Sequence, residues 1–301
     1  MLSIRSFTEL TTHLQHLNSV MRLAVVNPTD EQTMEAIVRA TQLKMITPIL
    51  IGDTAAFNHK LLDGYHYMLI DCPDPVEASA RAVELVKTGE ADILMKGMVN
   101  TDVILKAVLH KEKGLATYGK VITFIAAMEI PRYPKLLFMT DPAVIPAPNL
   151  RQRTAMIEYS IEMAHSFGIP RPKVALIHGT EKKNLKLNFM QDYVDILAAY
   201  KRGEFGEAII DGPLDLFLAL DPKLGGIKHV NTLIHGDADA LIFPNFEAAN
   251  VFYKSMMSFA DAQMGGMLYG TDKPVVLTSR SDSVDSKFYS IALGCLMNQN
   301  A

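Results

Sequence analysis

RLAVVNPTDEQTMEAIVRATQLKMITPILIG, residues 22 to 52, decides the reading of the fold. RLAVVN (22 to 27) and ITPILIG (46 to 52) are apolar runs of strand length with no polar alternation, the pattern of strands buried on both faces. Between them TDEQTMEAIVRATQL (29 to 43) has helical spacing, with Thr29 or Asp30 as the N-cap. Strand, helix and strand in that order form a βαβ crossover, so the sheet it feeds is parallel.

The same unit repeats outward. YMLIDC (67 to 72) and ADILMKG (91 to 97) read as strands around the helical DPVEASARAVELVKTGE (74 to 90), which opens at Pro75. KVITFIAAME (120 to 129) and KLLFMTD (135 to 141) are too close for a crossover helix and read as an antiparallel hairpin. The proline-rich DPAVIPAPN (141 to 149) is excluded from a helix interior and marks a domain boundary. Beyond it, LRQRTAMIEYSIEMAHSFG (150 to 168), NFMQDYVDILAAYKRG (188 to 203) and EAANVFYKSMMSFADAQMGG (247 to 266) are helical. PKVALIHG (172 to 179), EAIIDG (207 to 212) and DALIFP (239 to 244) are strands. PVVLTS (274 to 279) is the last strand and SVDSKFYSIALGCLMNQ (283 to 299) the closing helix. That final pair resembles the first domain's units and is expected to return to it. The expectation is therefore a two-domain α/β/α sandwich with mostly parallel sheets: 1–141 plus 273–301 as the first α/β domain and 142–272 as the second.

Composition limits the function classes. A chain of 301 residues, 49% of them hydrophobic, buries a substantial core, which excludes disorder. A formal charge of -4 gives no general attraction for nucleic acid or an anionic membrane, so an anionic ligand must be held by particular side chains. Cys72 and Cys295 form no disulfide framework and no paired-cysteine metal or redox motif, which fits a reducing cytoplasm. No apolar run reaches the roughly 18 residues of a membrane helix, and the N-terminus reads as a polar amphipathic helix without a signal-peptide pattern.

The chemistry-bearing residues fall where strands end: Asn27, Gly52, Asp71, Lys96-Gly97, Asp141, Gly179, Asp211-Gly212 and Ser279-Arg280. Open α/β sheets bind ligands at that edge, and with two sheets the expected place is the cleft between domains. Each such Asp, Asn or Ser also reads as a helix cap, Ser283 or Asp282 for the closing helix among them. Arg280 is harder to absorb that way, because its planar fork matches phosphate or carboxylate. The GxxxxGK[ST], GxGxxG and GxSxG motifs are missing, which removes the standard support for nucleoside triphosphates, dinucleotides and serine hydrolysis. HLQH (13 to 16) has metal-ligand spacing on a polar helix with no third ligand nearby and reads as a solvated face.

LMKGMVNTDVILKAVLHKEKGL (94 to 115), KLLFMTDPAVIPAPNL (135 to 150), IHGDADALIFPNFEAANVFYK (234 to 254) and KPVVLTSRSDS (273 to 283), with the weaker IIDGPLDL (209 to 216), together resemble the phosphate acetyl/butyryltransferases, and most closely the butyryl branch. The resemblance implies a fold similar to the isocitrate and isopropylmalate dehydrogenases, with the active site in the interdomain cleft. It implies the reaction acyl-CoA + phosphate = acyl phosphate + CoA, with butyryl as the acyl group. Acyl-CoA, phosphate and acyl phosphate would be the partners, in a homodimer or larger assembly with no permanently bound cofactor and no metal. Such chemistry needs a base, an oxyanion donor and cations. Ser279 and Arg280 match the family's active-site pair, Arg280 holding phosphate and Ser279 donating to the oxyanion, with Asp282 and Asp285 as the nearby carboxylates. Lys96, Gly97, Thr101, Lys106, Asp141, Asn250, Tyr253 and Lys254 complete the expected substrate-binding set.

There are departures. The acetyl branch carries its proposed base seven residues after the serine, where this chain has Ser286, so the base is left open between Asp282 and Asp285. An arginine typical of that branch gives way to Leu105 followed by Lys106, while Phe124 and Ala249 stand where a histidine and a glycine are frequent. Tyr253 and Met256-Met257 also read as core or subunit interface, Lys254 as a solvated charge, and Asp237 and Asp239 as turn formers. Two alternatives belong to the same fold: a non-catalytic acyl-CoA sensor and a phosphate acetyltransferase. A metal-dependent hydroxyacid dehydrogenase would need an acidic cluster that the sequence does not offer.

Overall fold

The computed structural model describes residues 3–224 and 230–299. Its strands are β1 (Met21–Val26), β2 (Ile46–Gly52), β3 (Met68–Asp71), β4 (Ile93–Lys96), β5 (Thr123–Glu129), β6 (Leu137–Thr140), β7 (Lys173–Ile177), β8 (Ile209–Leu214), β9 (Ala240–Ile242), β10 (Gln263–Tyr269) and β11 (Val275–Val276). The helices are α1 (Phe7–Leu17), α2 (Glu31–Gln42), α3 (Pro75–Lys87), α4 (Thr101–Val108), α5 (Leu150–Ser166), α6 (Asn188–Lys201), α7 (Leu216–Leu220), α8 (Phe246–Phe259) and α9 (Val284–Gln299). Two compact units result: Thr8–Ile122 with Met264–Ala301, and Met1–Phe7 with Thr123–Gln263.

In the first unit the strands lie in the order β3-β2-β1-β4-β11-β10, parallel from β3 to β11, with β10 antiparallel to β11. The register pairs Val26 with both Ile51 and Lys96, and Val276 with Met95, so the carboxyl ends of β1, β4 and β11 are level. Starting from β1 the chain steps outward through β2 to β3, then returns past β1 to add β4 on the other side. Strand order thus reverses between β1 and β4, the switch point at which neighbouring loops diverge and leave a crevice. Local sequence makes these crossovers: Asp30 caps α2 by accepting from the Thr33 N–H, and Asp74 caps α3 just before Pro75. α9 is buried from Ser286 through Met297 and packs on α2, β4 and β11.

One stretch folds differently from the sequence expectation. Residues 247 to 266 do not form one helix: α8 stops at Phe259, and Gln263–Tyr269 is strand β10. The Gly265-Gly266 pair belongs to that strand because α9 crosses it closely. A Cβ on Gly265 would stand 2.7 Å from the Tyr289 carbonyl carbon, and the Gly266 N–H donates to Ser290 Oγ at 3.0 Å.

The second unit orders β5-β6-β9-β7-β8, with β5 antiparallel to β6 and the rest parallel. The expected hairpin of β5 and β6 therefore exists, and β6 pairs onward with β9. This pairing explains why the units divide at 122/123 and 263/264 where the sequence suggested 141/142 and 272/273: β5 precedes the proline-rich stretch yet belongs to the later sheet, and β10 already pairs with β11. β8 continues to Leu214, so Asp211-Gly212 lies inside a strand and not at its carboxyl end.

Candidate active site

Three loops meet at the switch point of the first unit, and each supplies part of a charged cluster. From β4, Lys96 is only 2% exposed, and its Nζ donates to the carbonyl oxygens of Thr278 at 3.0 Å and Gly97 at 3.2 Å. Thr278 Oγ1 donates back to the Lys96 carbonyl at 3.3 Å, so the end of β11 is cross-linked to the end of β4. Burial, reinforced by the nearby Lys287 and Arg280 cations, lowers the Lys96 pKa from 10.5 to about 8, against the opposing pull of Asp282 and Asp30.

Gly97 follows, and its N–H donates to Val26 O at 2.8 Å. A Cβ here would lie 2.5 Å from the backbone oxygens of both Val26 and Asn27. Neither oxygen can swing aside as a side chain would, so Gly97→Ala is expected to lower unfolding free energy by about 2 to 3 kcal/mol, read as a shifted urea midpoint.

From β11 the chain turns at Ser279. Its N–H donates to Asp282 Oδ2 at 2.7 Å, while its Oγ lies 3.1 Å from Ser281 Oγ. Arg280 reaches from this turn to the N-cap of α4, where its Nη2 donates to Asn100 Oδ1 at 2.6 Å. Thr101 is the first residue of that helix; Lys106 sits in its last turn, exposed, at the opposite end from Arg280.

The third contribution comes from α9 and the loop after β1. Lys287, 1% exposed, donates from Nζ to Asp30 Oδ1 at 3.1 Å and Thr33 Oγ1 at 3.0 Å. Burial works to raise the Asp30 pKa, but hydrogen bonds from Thr33 and the Lys287 ammonium carry it below the usual carboxylate value. Ser283 caps α9 by accepting from the Ser286 N–H at 3.2 Å, which leaves Asp282 to the Ser279 turn.

The expected site residues divide. Lys96, Gly97, Thr101, Ser279, Arg280 and Asp282 lie at or just beyond the carboxyl ends of β4 and β11. Asp285 is bound elsewhere: it pairs with Arg39 at 2.6 Å, and that guanidinium lies 3.9 Å over the Phe288 ring, so its carboxylate is engaged in anchoring α9 to α2. Asp141, Asn250, Tyr253 and Lys254 belong to the second unit. Asp141 is buried and accepts from Thr123 Oγ1 and the N–H groups of Phe124, Ala143, Val144 and Ile145 at 2.7 to 3.2 Å. Those five donors make it the organiser of the proline-rich segment; burial pushes its pKa up while they oppose the rise. Asn250 Nδ2 donates to Pro142 O at 2.9 Å in the same segment, Tyr253 is half-buried and Lys254 exposed on α8. Asp237 and Asp239 hold Lys173 and Lys135 in ion pairs.

Asn100, Asp30 and Lys287 were not among the expected site residues. Lys287 carries a readable signal, since it is a lone cation inside a helix that is apolar nearly all round and so must be buried against a partner. Asn100 offers none beyond cap spacing. Among the described residues no three of His, Cys, Asp or Glu gather as a possible metal cage.

The first unit is thus an open, mostly parallel α/β sheet with a lysine, an arginine and a hydroxyl turn beside the point where its strand order reverses. Residues 73–295 match the family model described as phosphate acetyl/butaryl transferase, and the chain belongs to that family. It is 38% identical to phosphate butyryltransferase of Clostridium beijerinckii over 97% of this chain and 98% of the relative. It is 36% identical to phosphate acetyltransferase of Thermotoga maritima over 91% and 94% of the two chains. Among solved structures, a branched-chain phosphotransacylase from Enterococcus faecalis V583 superposes with a TM-score of 0.83 at 30% identity, covering 93% of this chain and 98% of that one.

Proposed function

We propose that the protein transfers a short aliphatic acyl group, butyryl in the first place, between CoA and inorganic phosphate. The observation that carries this reading is the Ser279-Arg280 turn, joined to the N-cap of α4 through Asn100 and to β4 through Lys96, in a chain so similar to a phosphate butyryltransferase. With acyl phosphate as donor, the CoA thiolate attacks the carbonyl carbon, a C–S bond forms, the bond between that carbon and the bridging oxygen breaks, and phosphate leaves with that oxygen and the electron pair. Arg280 and Lys96 neutralise the phosphate, and the Ser279 hydroxyl donates to the tetrahedral oxyanion. Thr101 opens a helix whose positive end favours the same anion. Asp282, adjacent to these groups, is the carboxylate retained as candidate base; Asp285 is not, because Arg39 occupies it.

A direct transfer suits this chain better than an acyl-enzyme. Burial pushes the Cys295 thiol up to about 12 and raises that of Cys72 as well, so neither is a ready nucleophile. The acceleration then comes from alignment of the two substrates. We also read the layered units as similar to the isocitrate and isopropylmalate dehydrogenases, and place the protein in the cytoplasm, where its two free cysteines stay reduced. Assembly as a homodimer or larger fits the exposed Val251 and Phe259 on α8. No helix of the described residues is long and apolar enough to cross a membrane.

The test is thiol release from acetyl-, propionyl-, butyryl- and isobutyryl-CoA in the presence of phosphate. Release that depends on phosphate and is fastest with butyryl-CoA is expected. Fastest turnover of acetyl-CoA would reassign the acyl group, and binding of acyl-CoA without any thiol release would make the protein a sensor.

A further inference from the structure

The guanidinium proposed to meet phosphate is held by a neutral group, whereas five other arginines of the chain are held by carboxylates. Arg22, Arg39, Arg81, Arg153 and Arg202 each form an ion pair with a carboxylate. Arg280 donates instead to the carboxamide oxygen of Asn100 at 2.6 Å. Asn100 has a second unusual feature. The capping residues Asp30, Asp74, Asn149 and Asn245 all turn their side-chain oxygens onto the N–H groups of their helices, whereas Asn100 occupies the cap of α4 in extended backbone without doing so. Its oxygen is spent on Arg280, so the usual capping hydrogen bond is forgone in favour of a charge-assisted one.

We propose that Asn100 is the positioning residue for Arg280: its uncharged oxygen fixes the guanidinium beside the first turn of α4 and leaves the positive charge uncancelled for phosphate. An aspartate in its place would grip the arginine at least as firmly but would neutralise it. An alanine would release it to rotate in solvent. A guanidinium has five N–H donors, so one bond to Asn100 leaves enough for bidentate contact with an oxyanion. This inference rests on the proposed transacylase reading and concerns its phosphate half alone.

The experiment compares wild type with Asn100→Asp and Asn100→Ala, measuring KM for phosphate and for butyryl-CoA separately, with thermal midpoints alongside. Asn100→Ala should raise the phosphate KM about tenfold, the scale of a lost hydrogen bond to a charged group, with the butyryl-CoA KM nearly unchanged. Asn100→Asp, nearly isosteric and an equally good cap, should keep the thermal midpoint and raise the phosphate KM further than alanine does. If Asn100 served only the helix, Asn100→Asp would behave as wild type, and that result overturns the proposal. An equal rise in both KM values for Asn100→Asp would overturn it too. Should wild type itself release no thiol, the transacylase reading fails first and separately.

Discussion

Arg280→Ala is expected to lower kcat/KM for phosphate by about 10²- to 10³-fold, the usual consequence of deleting one preorganised donor from a site of developing charge. The side chain is exposed and its hydrogen bond runs to Asn100, so little of the core depends on it and the thermal midpoint should move by no more than a degree or two. Arg280→Lys separates charge from geometry. An ammonium restores the charge but offers no fork, and a shorter hydration-favouring head reaches Asn100 and phosphate less well together; recovery should be partial. Initial rates of thiol release against phosphate concentration decide the matter. A variant that kept both turnover and phosphate affinity would remove Arg280 from the site and with it the central element of the proposed function.

How far the sequence revealed this arrangement depended on whether a residue's partner was local. The parallel layer around β1 was legible because a strand buried on both faces has to be apolar along its length, and LAVV is. Asp30 and Pro75 announced the helices they start, since caps act within a single turn. β10 was not legible: MGGMLY has neither β-branched residues nor alternation, and its glycines make sense only once α9 lies across them. The partner of Asp285 was hidden for the same reason, because the arginine it pairs with comes from α2, 246 positions earlier. Asp141 looked like a ligand at a strand end, yet four of its five donors are backbone N–H groups whose positions the fold alone determines. Family resemblance pointed to the Ser279-Arg280 pair, while the carboxamide beside it comes from a loop 180 positions earlier.

Lys96 gives the other large expected effect, one that depends on pH. In the unfolded chain its amine titrates near the ordinary value of 10.5, whereas burial beside two cations brings it to about 8 in the folded protein. Between those values the unfolded state binds more protons than the folded state, so stability must rise with pH across the window. The gain attributable to this one group is on the order of 3 kcal/mol, absent below pH ~8 and complete only above pH ~10.5. Other lysines and tyrosines titrate in the same range, so the relevant quantity is the difference between wild type and Lys96→Met, followed by urea denaturation at several pH values. Lys96→Met loses the bonds to Thr278 and Gly97 at every pH, a constant offset; only the slope reports the titration. The same proton has a functional consequence of opposite sense. If Lys96 helps neutralise phosphate, it must be charged to do so, and phosphate affinity should fall as pH rises through about 8 in wild type, while Lys96→Met starts weaker and lacks that alkaline limb. A buried cation that destabilises the fold near neutrality while strengthening substrate binding would explain why a lysine stands at the end of a strand otherwise built from Ile, Leu and Met. Parallel slopes for the two proteins would mean that Lys96 is already neutral or fully solvated, and its place among the phosphate-handling groups would have to be given up.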